Sequence, residues 1–263
     1  MSPLRSSAPS GPAQARRRRL GAATVAVAVL LAVLLGVRTA DDPGVPLAEP
    51  TATTSAQPSP ASTASTPTPA RSGPTLPAYA SSGRYTRMRT GTPVRGTSGR
   101  LVTYRVEVEQ GAGVTTREFA DAVDATLQHP RGWTAGGHWR FQRVVRAHPS
   151  LTIRLATPDT VDQACAAAGA DTDGYTSCRA GDLIMLNLDR WHVGVPHVPS
   201  LTGYRHYLVN HEVGHGLGLG HQGCTGAGRT APVMLQQTLG LRGCRPNPWP
   251  RSQSGRLVTG PSL

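Results

Sequence analysis

The chain reads as an α+β fold on three observations. Residues 101–109 alternate apolar and polar side chains with period two, the mark of a half-buried strand. Thr115-Thr116-Arg117-Glu118 is a capping box that opens a helix. Residues 211–221 place histidines at helical spacing and are followed by a glycine- and proline-rich tail without periodicity.

Taken from the start, residues 1–19 are polar and end in Arg16-Arg17-Arg18-Arg19. Residues 20–37 are an unbroken run of apolar and small side chains. As a helix the run spans about 27 Å, close to a hydrocarbon core of about 30 Å. The arginines before it place that end in the cytoplasm, as a single-pass signal anchor. A cleaved signal peptide, which would leave the rest secreted, fits less well. Such apolar cores run about 7–15 residues, and Arg38 spoils a small-x-small cleavage pattern. Either reading exports the remainder and permits disulfides. Residues 38–83 are rich in Ser, Thr and Pro and hold too little apolar surface for a core, so they read as a disordered linker. Residues 84–263 are the folded domain.

Within that domain the strand at 101–109 leads. The helix after Thr115 carries Phe119, Val123 and Leu127 on one face. Residues 138–145 and 151–155 follow as strands, and a short helix after Asp159 carries Cys165. Residues 183–188 form the most apolar strand, expected to be central. The helix with the histidines starts near Ser200 or Thr202 and ends near Leu217.

The formal charge is +12, and all 27 basic residues are arginine, which first suggests the coding bias of a GC-rich genome. From residue 84 onward 20 arginines face 12 acidic residues, so about +8 belongs to the folded domain. A basic surface favours anionic partners such as wall polymers or acidic peptides. No aromatic-basic interleaving or nucleic-acid motif accompanies it, so nucleic acid is not expected. The four cysteines allow three pairings. The local ones, Cys165–Cys178 and Cys224–Cys244, are expected. The second would clip the loop after His221 to the segment beyond Met234, worth about 3 kcal/mol in the chain-entropy picture.

His211-Glu212-Val213-Gly214-His215-Gly216-Leu217-Gly218-Leu219-Gly220-His221 carries the chemistry. Residues four apart on a helix share a face, so His211 and His215 can meet one ion. Gly218 can take a left-handed conformation and end the helix. His221 then reaches the same ion from outside it. Three imidazoles leave one tetrahedral position for water, as a catalytic zinc needs. Glu212 beside the first ligand is suited to deprotonate that water.

This extended motif, with Ala231-Pro232-Val233-Met234 after it, resembles the metzincin clan of zinc endopeptidases. Within the clan the chain is most similar to a membrane-anchored metzincin-like family of high-GC Gram-positive bacteria, over residues 84–263. Tyr207-Leu208-Val209-Asn210 and Gln236-Gln237-Thr238 look specific to that family. The resemblance implies a twisted mixed sheet, a long helix, a zinc-binding active-site helix and a small irregular C-terminal subdomain with a methionine turn. It assigns Zn2+ ligation to His211, His215 and His221, the general base to Glu212, and support beneath the metal to Met234. Some metzincins carry a tyrosine two residues after that methionine. Here Gln236 stands there, and no ligand is assigned to it.

The expected function is extracytoplasmic, zinc-dependent hydrolysis of peptide or protein substrates, with peptidoglycan cross-links as one substrate class. The alternative is a zinc-loaded, wall-associated binding module on the same scaffold without useful turnover. Other features read as structural. His129, His138, His148, His192, His197 and His206 show no ligand spacing, Asp171-Thr172-Asp173-Gly174 lacks most of a calcium loop, and Trp191, Trp249 and Tyr207 read as packing residues, Tyr207 as a buttress for the His211 ring.

Overall fold

The computed structural model describes residues 75–146 and 148–263. The basic tail, the anchor and most of the linker lie outside the described residues, and among the described residues no helix is long and apolar enough to cross a membrane.

The elements in chain order are β1 (Tyr85–Arg87), β2 (Arg100–Glu109), α1 (Thr116–Leu127), β3 (Trp139–Arg143), β4 (Leu151–Ala156), α2 (Pro158–Ala166), β5 (Cys178–Ala180), β6 (Leu183–Asn187), α3 (Leu188–Val193) and α4 (Leu201–Gly216). They form a mixed α+β fold around one six-stranded sheet of order β1-β2-β4-β6-β5, with β3 also paired to β2. The pairs β2–β3, β2–β4 and β4–β6 are parallel. The short strands β1 and β5 are antiparallel at the two ends.

The alternation in β2 sorts its two faces. Val102, Tyr104, Val106 and Val108 are buried and join Phe119, Val123 and Leu127 of α1 in the main core. Ile153, Leu155, Ile184 and Leu186 extend that core beneath α4, whose Tyr204, Leu208 and Val213 complete it. On the opposite face Val161 and Cys165 of α2 pack on Ala156, Cys178 and Met185. The Cys165–Cys178 disulfide lies in this second cluster, and Cys224–Cys244 closes the loop after His221.

Both major helices start where the sequence places them. Thr115 Oγ1 accepts from Glu118 N at 3.2 Å, and Glu118 Oε2 accepts from Thr115 N at 3.0 Å. Ser200 Oγ accepts from Gly203 N at 3.0 Å and caps α4.

Several elements differ from expectation. Strands β1 and β5 are three residues long, too short to show alternation. Leu188 starts α3 instead of ending β6, because the Asn187 side chain caps that helix by accepting from Arg190 N at 3.2 Å. Strand β6 is interior but one place from the edge, since β5 flanks it. Part of the composition-defined linker is tied to the domain. Ser82 N and Gly83 N donate to Glu109 Oε1 at 2.6 and 2.8 Å, and the Tyr79 hydroxyl donates to Asp189. Residues 217–263 contain no helix or named strand, only isolated bridges such as Gln222↔Ser262 and Thr230↔Arg245.

Candidate metal centre

Helix α4 is enclosed by protein over residues 207–214, so the first histidine and the glutamate are buried, at 5% and 4% exposure. The helix ends at Gly216, and Gly218 adopts φ +93°, a conformation open to glycine and strained for other residues. The reversed chain lets Leu219 N bond Gly214 O at 3.0 Å and turns His221 back toward the helix.

Two carbonyls set the ring orientations. His211 Nδ1 lies 2.9 Å from Val233 O, and His215 Nδ1 lies 2.9 Å from Leu219 O. A carbonyl only accepts, so each Nδ1 carries the hydrogen, and in the neutral ring Nε2 presents a lone pair. His215 Nε2 is 3.3 Å from His211 Nε2 and 3.1 Å from His221 Nε2. Nitrogen ligands at about 2.05 Å on a tetrahedral ion stand about 3.3 Å apart. Lone pairs held this close repel one another, and a shared cation removes the repulsion. The residues therefore fit one small divalent ion.

Protonation is disfavoured at all three rings. Burial, then the neighbouring His215, hold His211 at about 3. Burial lowers His215, with Arg179 adding to the effect. Burial and His215 lower His221. Neutral imidazole is the form that binds a metal.

Glu212 lines the same cleft as the three histidines, and its Oε2 is buried without a hydrogen-bond partner among the described residues. Burial pushes its carboxyl up to about 8. A cation held by the three nitrogens favours the carboxylate instead.

The turn at Ala231-Pro232-Val233-Met234 closes with Leu235 N on Pro232 O at 3.0 Å and supplies the carbonyl that orients His211. Met234 lies against the helix at Gly214, between His211 and His215 in the chain. A Cβ on Gly214 would fall 2.3 Å from Met234 Sδ and 3.1 Å from Trp133. Gln237 and Asn247 hold the turn from behind. Gln237 Nε2 donates to Pro232 O at 3.2 Å and Asn247 Nδ2 to Ala231 O at 2.8 Å. Tyr207 places its ring 5.3 Å from that of His211 and donates its hydroxyl to Leu235 O at 3.2 Å, so it links helix to turn.

The cleft holds about 300 Å³. One wall is Cys178 and Arg179 of β5, and Gln236 and Leu239 form another. The Asp171–Gly174 stretch is a tight turn at the rim. Asp171 Oδ1 accepts from Asp173 N at 3.1 Å, and Asp162 of α2 accepts from the Thr172 hydroxyl and from Gly174 N. The remaining described histidines stay out of the cleft lining. His129 stacks on Trp249 at 3.7 Å, His206 Nδ1 meets the Thr126 hydroxyl at 2.8 Å, and His197 Nε2 donates to Gln237 O at 2.6 Å.

Sequence reasoning missed Trp133, Gly214, Arg179 and Asn247. Gly214 was within reach, since a glycine inside the buried stretch of a helix costs about 1 kcal/mol and calls for a packing reason. The carbonyls of Val233 and Leu219 carry no side-chain signal at all.

Residues 72–248 match the family described as "Protein of unknown function (DUF3152)". No curated protein and no solved structure matches the chain.

Proposed function

The chain belongs to the DUF3152 family, and from that premise and the geometry of the centre we propose that it is an extracytoplasmic, zinc-dependent endopeptidase of metzincin type. The observation that carries this reading is the convergence of three imidazole Nε2 atoms, spaced 3.1 and 3.3 Å, beside the buried Glu212 carboxyl, whose Oε2 has no hydrogen-bond partner among the described residues. His211, His215 and His221 would hold the ion. When bound, zinc supplies Lewis acidity at neutral pH.

The chain's own groups do the rest. Val233 O and Leu219 O keep two rings in the ligating tautomer. Glu212 accepts the proton of the attacking water and returns it to the leaving amine nitrogen. Strand β5 ends the sheet and contributes Cys178 and Arg179 to the cleft, so an extended peptide can add to that edge through main-chain hydrogen bonds. The two disulfides suit an oxidising compartment outside the cytoplasm. Anchoring through residues 20–37 belongs to the same proposal.

The test is a digest of a peptide library by the full-length protein, with and without chelator, alongside Glu212→Gln and a metal assay of both. The expected result is stoichiometric zinc in both proteins, with cleavage reduced about 10²–10⁴-fold in the variant. Parental cleavage by Glu212→Gln would remove the assigned base. A zinc-loaded parent that cleaves neither peptides nor purified wall material would leave the binding-module alternative.

A further inference from the structure

The C-terminal segment carries a charge imbalance that the catalytic reading does not use. No aspartate or glutamate follows Glu212, whereas Arg229, Arg242, Arg245, Arg251 and Arg256 do. Three of them, Arg229, Arg245 and Arg256, line one open cleft of about 730 Å³. All three are exposed. None has a side-chain hydrogen bond or ion pair among the described residues, whose ion pairs use Arg87, Arg143 and Arg154. Arg251, by contrast, is occupied. It donates to Ala135 O and, at 2.8 Å, to Gly255 O.

The backbone holds these charges together. Arg245 N donates to Arg229 O at 2.7 Å and Ala231 N to Arg245 O at 2.9 Å, so the two arginines lie on paired segments. The Cys224–Cys244 disulfide closes the same loop. Arg256 sits on a hairpin closed by Ser252 N on Arg256 O at 2.8 Å and Val258 N on Pro250 O at 2.8 Å. Two clipped pieces of chain thus face like charges into one space, with no carboxylate in its lining. The rest of that lining is rich in hydroxyls: Thr225, Thr230, Ser252, Ser254 and Thr259. No aromatic ring is present on which a nucleobase could stack.

Guanidinium groups bind phosphate and carboxylate oxygens in planar, paired fashion, and hydroxyls both donate to and accept from alcohols. We propose that this cleft is a docking site for an anionic polymer of sugars or sugar alcohols, with arginines on its phosphate or carboxylate groups and the Ser/Thr hydroxyls on its alcohols. The site is independent of the metal centre and of whether that centre turns over.

Binding of the full-length chain to a polyuronate, a glycerol-phosphate polymer, neutral dextran and a single-stranded oligonucleotide tests the proposal. The first two probes separate carboxylate from phosphate as the recognised anion. Arg229→Gln/Arg245→Gln/Arg256→Gln is compared with a control triple of exposed arginines elsewhere, Arg89→Gln/Arg117→Gln/Arg146→Gln, which changes the net charge equally. Thermal unfolding of both triples checks the fold. The expected result is saturable, salt-sensitive binding to at least one of the two anionic polymers, weakened roughly tenfold or more by the cleft triple and little by the control. Three outcomes overturn it: no binding to either polymer at low salt, equal loss in both triples, or equally tight binding to the oligonucleotide.

Discussion

Gly214 shows how far one missing side chain shapes the centre. It lies between Glu212 and His215, and the space where its Cβ would stand is filled by Met234 Sδ. Gly214→Ala should therefore cost about 1–3 kcal/mol from overpacking, despite the better helix propensity of alanine. The far end of a methionine is flexible, so the cost depends on Met234. Adding Met234→Ala opens room for the new methyl, and the double variant should be less destabilised than the sum of the two single changes. Urea unfolding of the four proteins measures this. Additive losses would mean that the methionine does not set the limit. The motif made the cluster of His211, His215 and His221 legible, because four-residue spacing on a helix and a glycine stop are local facts. The methionine's contact with Gly214 is a tertiary fact, and a reading of either segment alone does not contain it.

At the scale of elements, Glu109 does more than end a strand. Its carboxylate accepts from Ser82 N at 2.6 Å, Gly83 N at 2.8 Å, Thr157 N at 2.8 Å and the hydroxyls of Thr157 and Thr160. It therefore clasps the incoming chain, β2 and the start of α2. Burial alone would raise its pKa, but the backbone N–H groups of Thr157, Gly83 and Ser82 and the Thr160 hydroxyl outweigh burial and lower it. A carboxyl with a lowered folded-state pKa contributes stability above its unfolded value, and that stability is lost as pH falls through the folded value. Glu109→Gln should thus be clearly less stable than the parent at pH 7, and the gap should shrink progressively below about pH 4.3. Denaturant melts of both proteins at pH 7, 5 and 3.5 read this out, and a gap that stays constant with pH would refute it. Period two made β2 readable, and in the folded domain Glu109 is buried on the face opposite Val106 and Val108. Its five donors were not readable, because they come from segments up to 51 residues away. The three-residue strands β1 and β5 were invisible for the same reason, since partners across the sheet and not local pattern define them.

For the whole molecule, the three-histidine cluster joins parts that share no regular structure. His211 and His215 come from α4, which packs on the sheet, while His221 begins the acid-free segment held by Cys224–Cys244. The Val233 carbonyl couples the same segment to His211. An ion bound by all three rings thus binds the native arrangement and not the unfolded chain. Linkage then predicts stabilisation by about 2.7 kcal/mol at a free concentration a hundredfold above the dissociation constant. Zinc should raise the unfolding temperature of the metal-stripped protein in a concentration-dependent way, and chelator should reverse it. His221→Ala should abolish most of that rise, because the remaining pair on one helix face no longer ties the C-terminal segment to the sheet. Glu212→Gln should keep the rise intact, since the proposed role of its carboxylate is toward the water and not the ion. Calorimetry across these proteins therefore separates holding the ion from using it. A His221→Ala protein stabilised by zinc as strongly as the parent would show that the third ring does not take part.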